Sequence, residues 1–108
     1  MIMADNRETF LTWIRRSAPG ERIAYHRGSI AHFRHLAPLR LSNLQVRADC
    51  ASTDNPRPPA EAVEIQQLQD ALELISAATH MERSGYVHLV QQRHAPGDAT
   101  YLAVRRKA

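Results

Sequence analysis

Arg83-Ser84-Gly85-Tyr86-Val87-His88-Leu89-Val90-Gln91-Gln92-Arg93 reads as a helix end that runs straight into a strand. Gly85 supplies the left-handed residue on which helices commonly stop. The next residues are rich in β-branched and aromatic types with period-two alternation. His94-Ala95-Pro96-Gly97-Asp98-Ala99 then reads as a turn, and Thr100-Tyr101-Leu102-Ala103-Val104-Arg105-Arg106 as the returning strand. With Pro96-Gly97 at the centre of the turn, Val87 and Leu89 are expected to face Leu102 and Val104 across the ribbon and cover a core.

Upstream of the hairpin, Pro58-Pro59-Ala60-Glu61 is a good helix entrance: proline is tolerated in the first turn, and an acid there suits the helix dipole. Ile65, Leu68, Leu72, Ile75 and Thr79 then form one stripe, widened by Ala71, Leu74, Ala78 and Met81. Gln66, Gln69, Asp70, Glu73, Ser76 and His80 lie opposite, so the helix is amphipathic over about seven turns.

The N-terminal half supplies three more elements. Asp5 is a candidate helix cap with Glu8 three residues on, and Phe10, Leu11, Trp13 and Ile14 give one apolar side. Pro19-Gly20 breaks the chain, and Glu21–Arg27 alternates as a short strand with Ile23 and Tyr25 together. Gly28 ends it, and Ser29 can cap a short second helix carrying Ile30, Phe33 and Leu36, closed or restarted by Pro38. Residues 41–59, with Asp, Asn and three Pro near their end, are expected to be an exposed loop.

The order is therefore helix, strand, helix, long helix, strand, strand. It predicts a single α+β domain over 1–108: a winged-helix-like unit of three helices with a three-stranded antiparallel sheet ending in a β-hairpin wing. Its core is expected to be Ile14, Ile23, Phe33, Leu68, Leu72, Ile75, Val87, Leu89, Leu102 and Val104. Two features depart from the pattern. The loop before the third helix is long, and that helix is longer and more acidic than one that reads DNA.

Charge is unevenly spread. The chain of 108 residues carries a net charge of +3, with Lys107 its only lysine. Residues 1–59 are net +4, residues 60–84 net −4 and residues 85–108 net +3. A modest basic balance is compatible with nucleic acid. No apolar run is long enough for a transmembrane helix, and Met1–Asn6 does not look like the start of a signal peptide. With Cys50 as the single cysteine, the expected location is a reducing cytoplasm.

Catalytic motifs are not evident. His26, His32 and His35 invite a metal reading, yet no Cys pair or clustered carboxylate accompanies them. Cys50 and the serines lack a base and an orienting group, and the glycines form no phosphate cradle. The expectation is a non-enzyme with no cofactor and no metal.

Three early segments, Trp13-Ile14-Arg15, Pro19-Gly20-Glu21-Arg22-Ile23 and Tyr25-His26-Arg27-Gly28, together with Gly85–Arg93 and Tyr101–Arg106, resemble a small family of uncharacterised bacteriophage and proteobacterial prophage proteins. The likeness covers both ends of the chain and not its middle. It implies a phage origin and a winged-helix-like fold, and it brings no activity or functional residue with it.

Arg34, Arg40, Arg93, Arg105, Arg106 and Lys107 are the candidate contacts to nucleic acid, because a planar guanidinium presents two donors to a phosphate. The acidic helix should face away from phosphates, so duplex DNA is expected to be held weakly and with little sequence preference. The apolar stripe, through Leu68, Leu72 and Ile75, is a candidate homodimer interface. The competing expectation is a protein-interaction module that inhibits a host enzyme or defence complex, in the manner of an anti-CRISPR or host-takeover protein.

Overall fold

The computed structural model describes residues 2–49 and 59–107. Its elements are α1 (Arg7–Arg16), β1 (Arg22–Gly28), α2 (Ile30–Asp49), α3 (Pro59–Arg83), β2 (Val87–Ala95) and β3 (Asp98–Arg105). The strands form one antiparallel sheet in the order β1-β3-β2, so the expected three helices and three-stranded sheet are present. Residues 2–4 run along the outer edge of β1: Ala24 N–H donates to Ile2 and Ala4 N–H to Ala24. Among the described residues, no strand pairs with the outer edge of β2.

Local chemistry sets the element ends. Asn6, rather than Asp5, caps α1 by accepting a hydrogen bond from Thr9 N–H at 2.9 Å. Ser29 caps α2 as expected, through His32 N–H. At the end of α3, Gly85 takes φ +86° and donates to Glu82 C=O, while Tyr86 N–H reaches back to Met81 C=O. Those two bonds satisfy carbonyls that the helix leaves open, and the positive φ is why the position is glycine.

The middle of the chain differs from expectation. Residues 41–49 are not loop; they continue α2, which passes through Pro38. An interior proline loses a hydrogen bond and costs about 3 kcal/mol. Packing on α3 offsets it: Ala37 and Leu44 are buried there, and Arg40 and Arg47 form ion pairs with Glu64 and Glu61 of α3. The stripe Ile30, Phe33, Ala37, Leu41, Leu44 has helical spacing, but Pro38 and the polar tail hide it. Residues 50–58, the rest of the expected loop, lie outside the described residues, except that Pro59 already begins α3.

The core lies between the helices and one side of the sheet. Phe10 and Ile14 of α1 and Leu74, Ile75, Ala77 and Ala78 of α3 pack on Ile23, Tyr25, Val87 and Ala103. Of the predicted core, Ile14, Ile23, Ile75, Val87 and Leu102 are buried, while Phe33, Leu68, Leu72, Leu89 and Val104 are half-buried. The long helix presents the Leu74-Ala77-Ala78 side to the sheet because its alanines let the backbones approach closely. The Leu68-Leu72 side turns toward the other helices.

The hairpin register also differs. Val87 lies opposite Arg105 and Leu89 opposite Ala103, whereas Leu102 and Val104 pair with Val90 and His88 on the other face. The cause is one residue. Pro96-Gly97 is the two-residue turn, with Ala95 opposite Asp98, but a bulge at His94 shifts the register before Arg93 meets Ala99. A one-residue shift moves every later side chain to the opposite face. Pro96 cannot take the positive φ that the usual two-residue hairpin turns need at that position, and Gly97 takes φ +75° instead. The bulged His94 is anchored by a 2.7 Å hydrogen bond between its Nε2 and Thr100 Oγ1.

Leu74→Ala should therefore destabilise the protein by about 2–5 kcal/mol in urea denaturation, as burial in the core requires. Leu72→Ala should cost well under half as much. Equal losses would show that both sides of α3 belong to one core.

Candidate nucleic-acid interface

The six predicted basic residues do not converge. Arg34 donates to Thr79 Oγ1 on α3, and Arg40 makes a two-point pair with Glu64 at 2.9 and 3.1 Å. The Arg40 hydrogen bond holds the Glu64 carboxyl below the usual carboxylate range. Arg93 is exposed near the hairpin tip, opposite Ala99. Arg105, Arg106 and Lys107 stand at the other end of the ribbon, six residues along β3, or about 20 Å away. Near the tip, Arg27 is already tied to Asp98 by two hydrogen bonds of 3.2 Å, which keep the Asp98 carboxyl low.

What gathers instead is a basic pole at the end of the sheet away from the turn. Arg15 and Arg16 close α1, Arg22 opens β1, Arg83 closes α3, and Arg105, Arg106 and Lys107 finish the chain. The backbone brings these ends together. Gly20 N–H donates to Arg105 C=O, Arg105 N–H to Glu21 C=O, and Arg106 N–H to Tyr86 C=O. Among the described residues, seven basic side chains thus share one end with two acids, Glu21 and Glu82. Glu21 is engaged by Ala18 N–H, and Glu82 by Leu89 N–H. Among the described residues, no ion pair occupies any of the seven.

Arg105 has a separate task. Its Nε donates to Ile14 C=O in the last turn of α1, and its Nη1 to Tyr86 C=O at 2.8 Å. Its guanidinium carbon lies 5.6 Å from the Tyr86 ring centroid. Arg105 is therefore a half-buried tie, while Arg15, Arg16, Arg22, Arg83, Arg106 and Lys107 are exposed. Sequence reasoning named the last three residues of the pole and missed Arg15, Arg16, Arg22 and Arg83. Each of the four sits at an element end, and only the up-and-down path of the chain shows that those ends coincide. The two helix-terminal sites also suit a negative helix end, which is an ordinary reason for arginine there.

The dimer candidates are separated as well. Ile75 is 3% exposed and belongs to the core. Leu72 faces a groove shared with Arg7 and Leu11 of α1, and Leu68 faces one shared with α2. The α2 groove, of about 330 Å³, is lined by His26, Phe33, Leu36, Ala37 and Leu68, among others. His26 enters it through a bulge in β1, where Tyr25 and His26 share a position opposite one residue of β3. Its ring lies 4.9 Å from Phe33 and 5.7 Å from Tyr101, centroid to centroid. Burial pushes the His26 pKa down. His32 and His35 are exposed on α2, and Cys50 lies outside the described residues.

Compared with known protein families, characterised proteins and solved structures, the chain matches none. Among the described residues, no helix is long and apolar enough to cross a membrane.

Arg105→Lys should lower stability by about 1–2 kcal/mol, because an ammonium cannot reach both carbonyls at once. Urea denaturation checks this, with Arg106→Lys as the neutral comparison. His26 gives a pH dependence of defined sign. Its folded pKa is below its unfolded value near 6.5, so the unfolded chain takes up the proton first as pH falls. The contribution is intact above about pH 7 and declines as the pH drops through 6.5 toward the folded pKa. His26→Phe, which keeps the ring packing, should lose less stability than the native chain between pH 7.5 and 5.5.

Proposed function

We propose that the chain binds nucleic acid through the phosphate backbone, at the basic pole, on a winged-helix frame. The element order and the β1-β3-β2 strand order are those of such a frame, in which the lone strand joins the last one. The observation that carries the reading is the pole itself: seven basic side chains against two engaged acids, at one end of a protein whose whole net charge is +3. Contacts of this kind position a protein on the backbone and carry no sequence information.

The usual use of the frame, with the third helix in the major groove, finds no support here. α3 carries Glu61, Glu64, Asp70 and Glu73, and two of these hold α2 in place. Bringing them to phosphates would add repulsion against a dense line of charge. The basic pole also lies at the opposite end of the ribbon from the hairpin tip. A small regulatory protein of phage type acting in a bacterial cytoplasm is consistent with this mode.

One observation favours a second reading, a protein-interaction module. The outward side of α2 exposes Leu36, Leu39 and Val46 at 43%, 57% and 59%. Together with the neighbouring groove, this is a surface suited to another protein's apolar side chains.

Binding of unrelated oligonucleotides, followed by fluorescence anisotropy over a salt series, tests the first reading. Arg15, Arg16, Arg106 and Lys107 changed together to Ala should weaken binding at least tenfold on every sequence. The duplex salt slope should flatten by about 0.9 for each phosphate that the variant no longer neutralises. Changing Arg34, Arg40 and Arg93 together should have a much smaller effect. If micromolar protein shifts no oligonucleotide at low salt, the backbone-binding reading falls and the α2 surface leads.

A further inference from the structure

We propose that the preferred ligand is single-stranded nucleic acid, with Tyr86 as a stacking platform for an unpaired base at the basic pole. This rests on the backbone-binding reading and names its substrate class.

The core cluster lies against one face of the sheet. Ile23, Val87 and Ala103 point into the core, so the alternating residues Arg22, Ala24, His88, Val90, Leu102 and Val104 belong to the other face. On that face Ala24 and Leu102 are each only 3% exposed, whereas Met3 beside Ala24 is 52% and Val90 42% exposed. The acid near this face is Asp98, which Arg27 already holds.

Tyr86 stands at the basic pole, one residue before β2 and paired with Arg106. Its ring is large, apolar and 45% exposed. Its backbone is fixed on both sides: N–H to Met81 C=O, and C=O to Arg106 N–H and Arg105 Nη1. Arg105 approaches one side of the ring and leaves the remainder to solvent. Arg106 lies opposite Tyr86 on the ribbon, and exposed His88 follows two residues later, about 7 Å along the strand. An exposed aromatic ring on a fixed backbone, with arginines beside it, is what an unpaired base and its phosphate need. A duplex keeps its base faces inside its own stack and cannot use the ring, so Tyr86 separates the two ligands.

The test compares a labelled 12-nucleotide single strand of mixed sequence with the matching duplex, using the full chain and variants shown by circular dichroism to be folded. Tyr86→Ala should weaken the single strand roughly 5- to 100-fold, the counterpart of ~1–3 kcal/mol for one base–aromatic stack. Tyr86→Phe should stay within twofold of the native chain, and duplex affinity should move less than twofold in both. Addition of the single strand should also shift the Tyr86 and His88 ring resonances in proton NMR. An unchanged single-strand affinity in Tyr86→Ala, or an equal loss on duplex, would overturn the platform while leaving the pole in place. Binding of neither oligonucleotide would remove the backbone reading itself.

Discussion

Arg105 ties together the part of the molecule on which the rest depends. Its guanidinium donates to the last turn of α1 and to the residue that opens β2, and its main chain pairs with Gly20 and Glu21 before β1. Three chain segments far apart in sequence are thereby fixed within one residue's reach. Charge-assisted bonds from a planar fork suit this, because several carbonyls can be satisfied without burying the charge completely. The consequence is electrostatic. Fixing these ends together also fixes their arginines together, and the pole is the by-product of the tie.

Two single-residue irregularities decide what the sheet shows on each side. The bulge in β1 sets Tyr25 and His26 together, one in the core and the other against Phe33. The bulge at His94 exchanges the faces of β2 relative to β3. Without it, Leu102 and Val104 would share the helix side with Val87 and Leu89. With it, Ala103 faces the core beside Val87 and Leu89, and the opposite face receives Leu102, Val104 and Val90. Bulges are placed features of this kind in many sheets, used to re-aim side chains.

The long pair α2 and α3 is held by a different balance. Their contact buries Leu44 completely and uses exposed ion pairs at Arg40–Glu64 and Arg47–Glu61. Exposed pairs contribute little energy each, so apolar burial supplies most of the attraction and the charges fix the alignment. This explains why α3 can be acidic within a basic protein. Two of its carboxylates serve as the counterpart of α2, where Arg40 and Arg47 are correspondingly ion-paired.

The sequence by itself determined the element order, the end of α3 at Gly85, the cap at Ser29 and the position of the hairpin turn. These rest on local chemistry: glycine at positive φ, a hydroxyl near free N–H groups, and Pro-Gly at a reversal. It named Arg106 and Lys107, which are exposed, but gave no sign that Arg105 is tied to Ile14 and Tyr86. Tertiary structure alone decided that residues 41–49 extend α2 past Pro38, because the stabilising partner is α3 and not a neighbour in sequence. It decided the strand register, since one bulged residue flips a face and leaves no local signature. It also decided the pole, because Arg15, Arg22, Arg83 and Arg106 become neighbours only when the chain has folded back on itself and element ends meet.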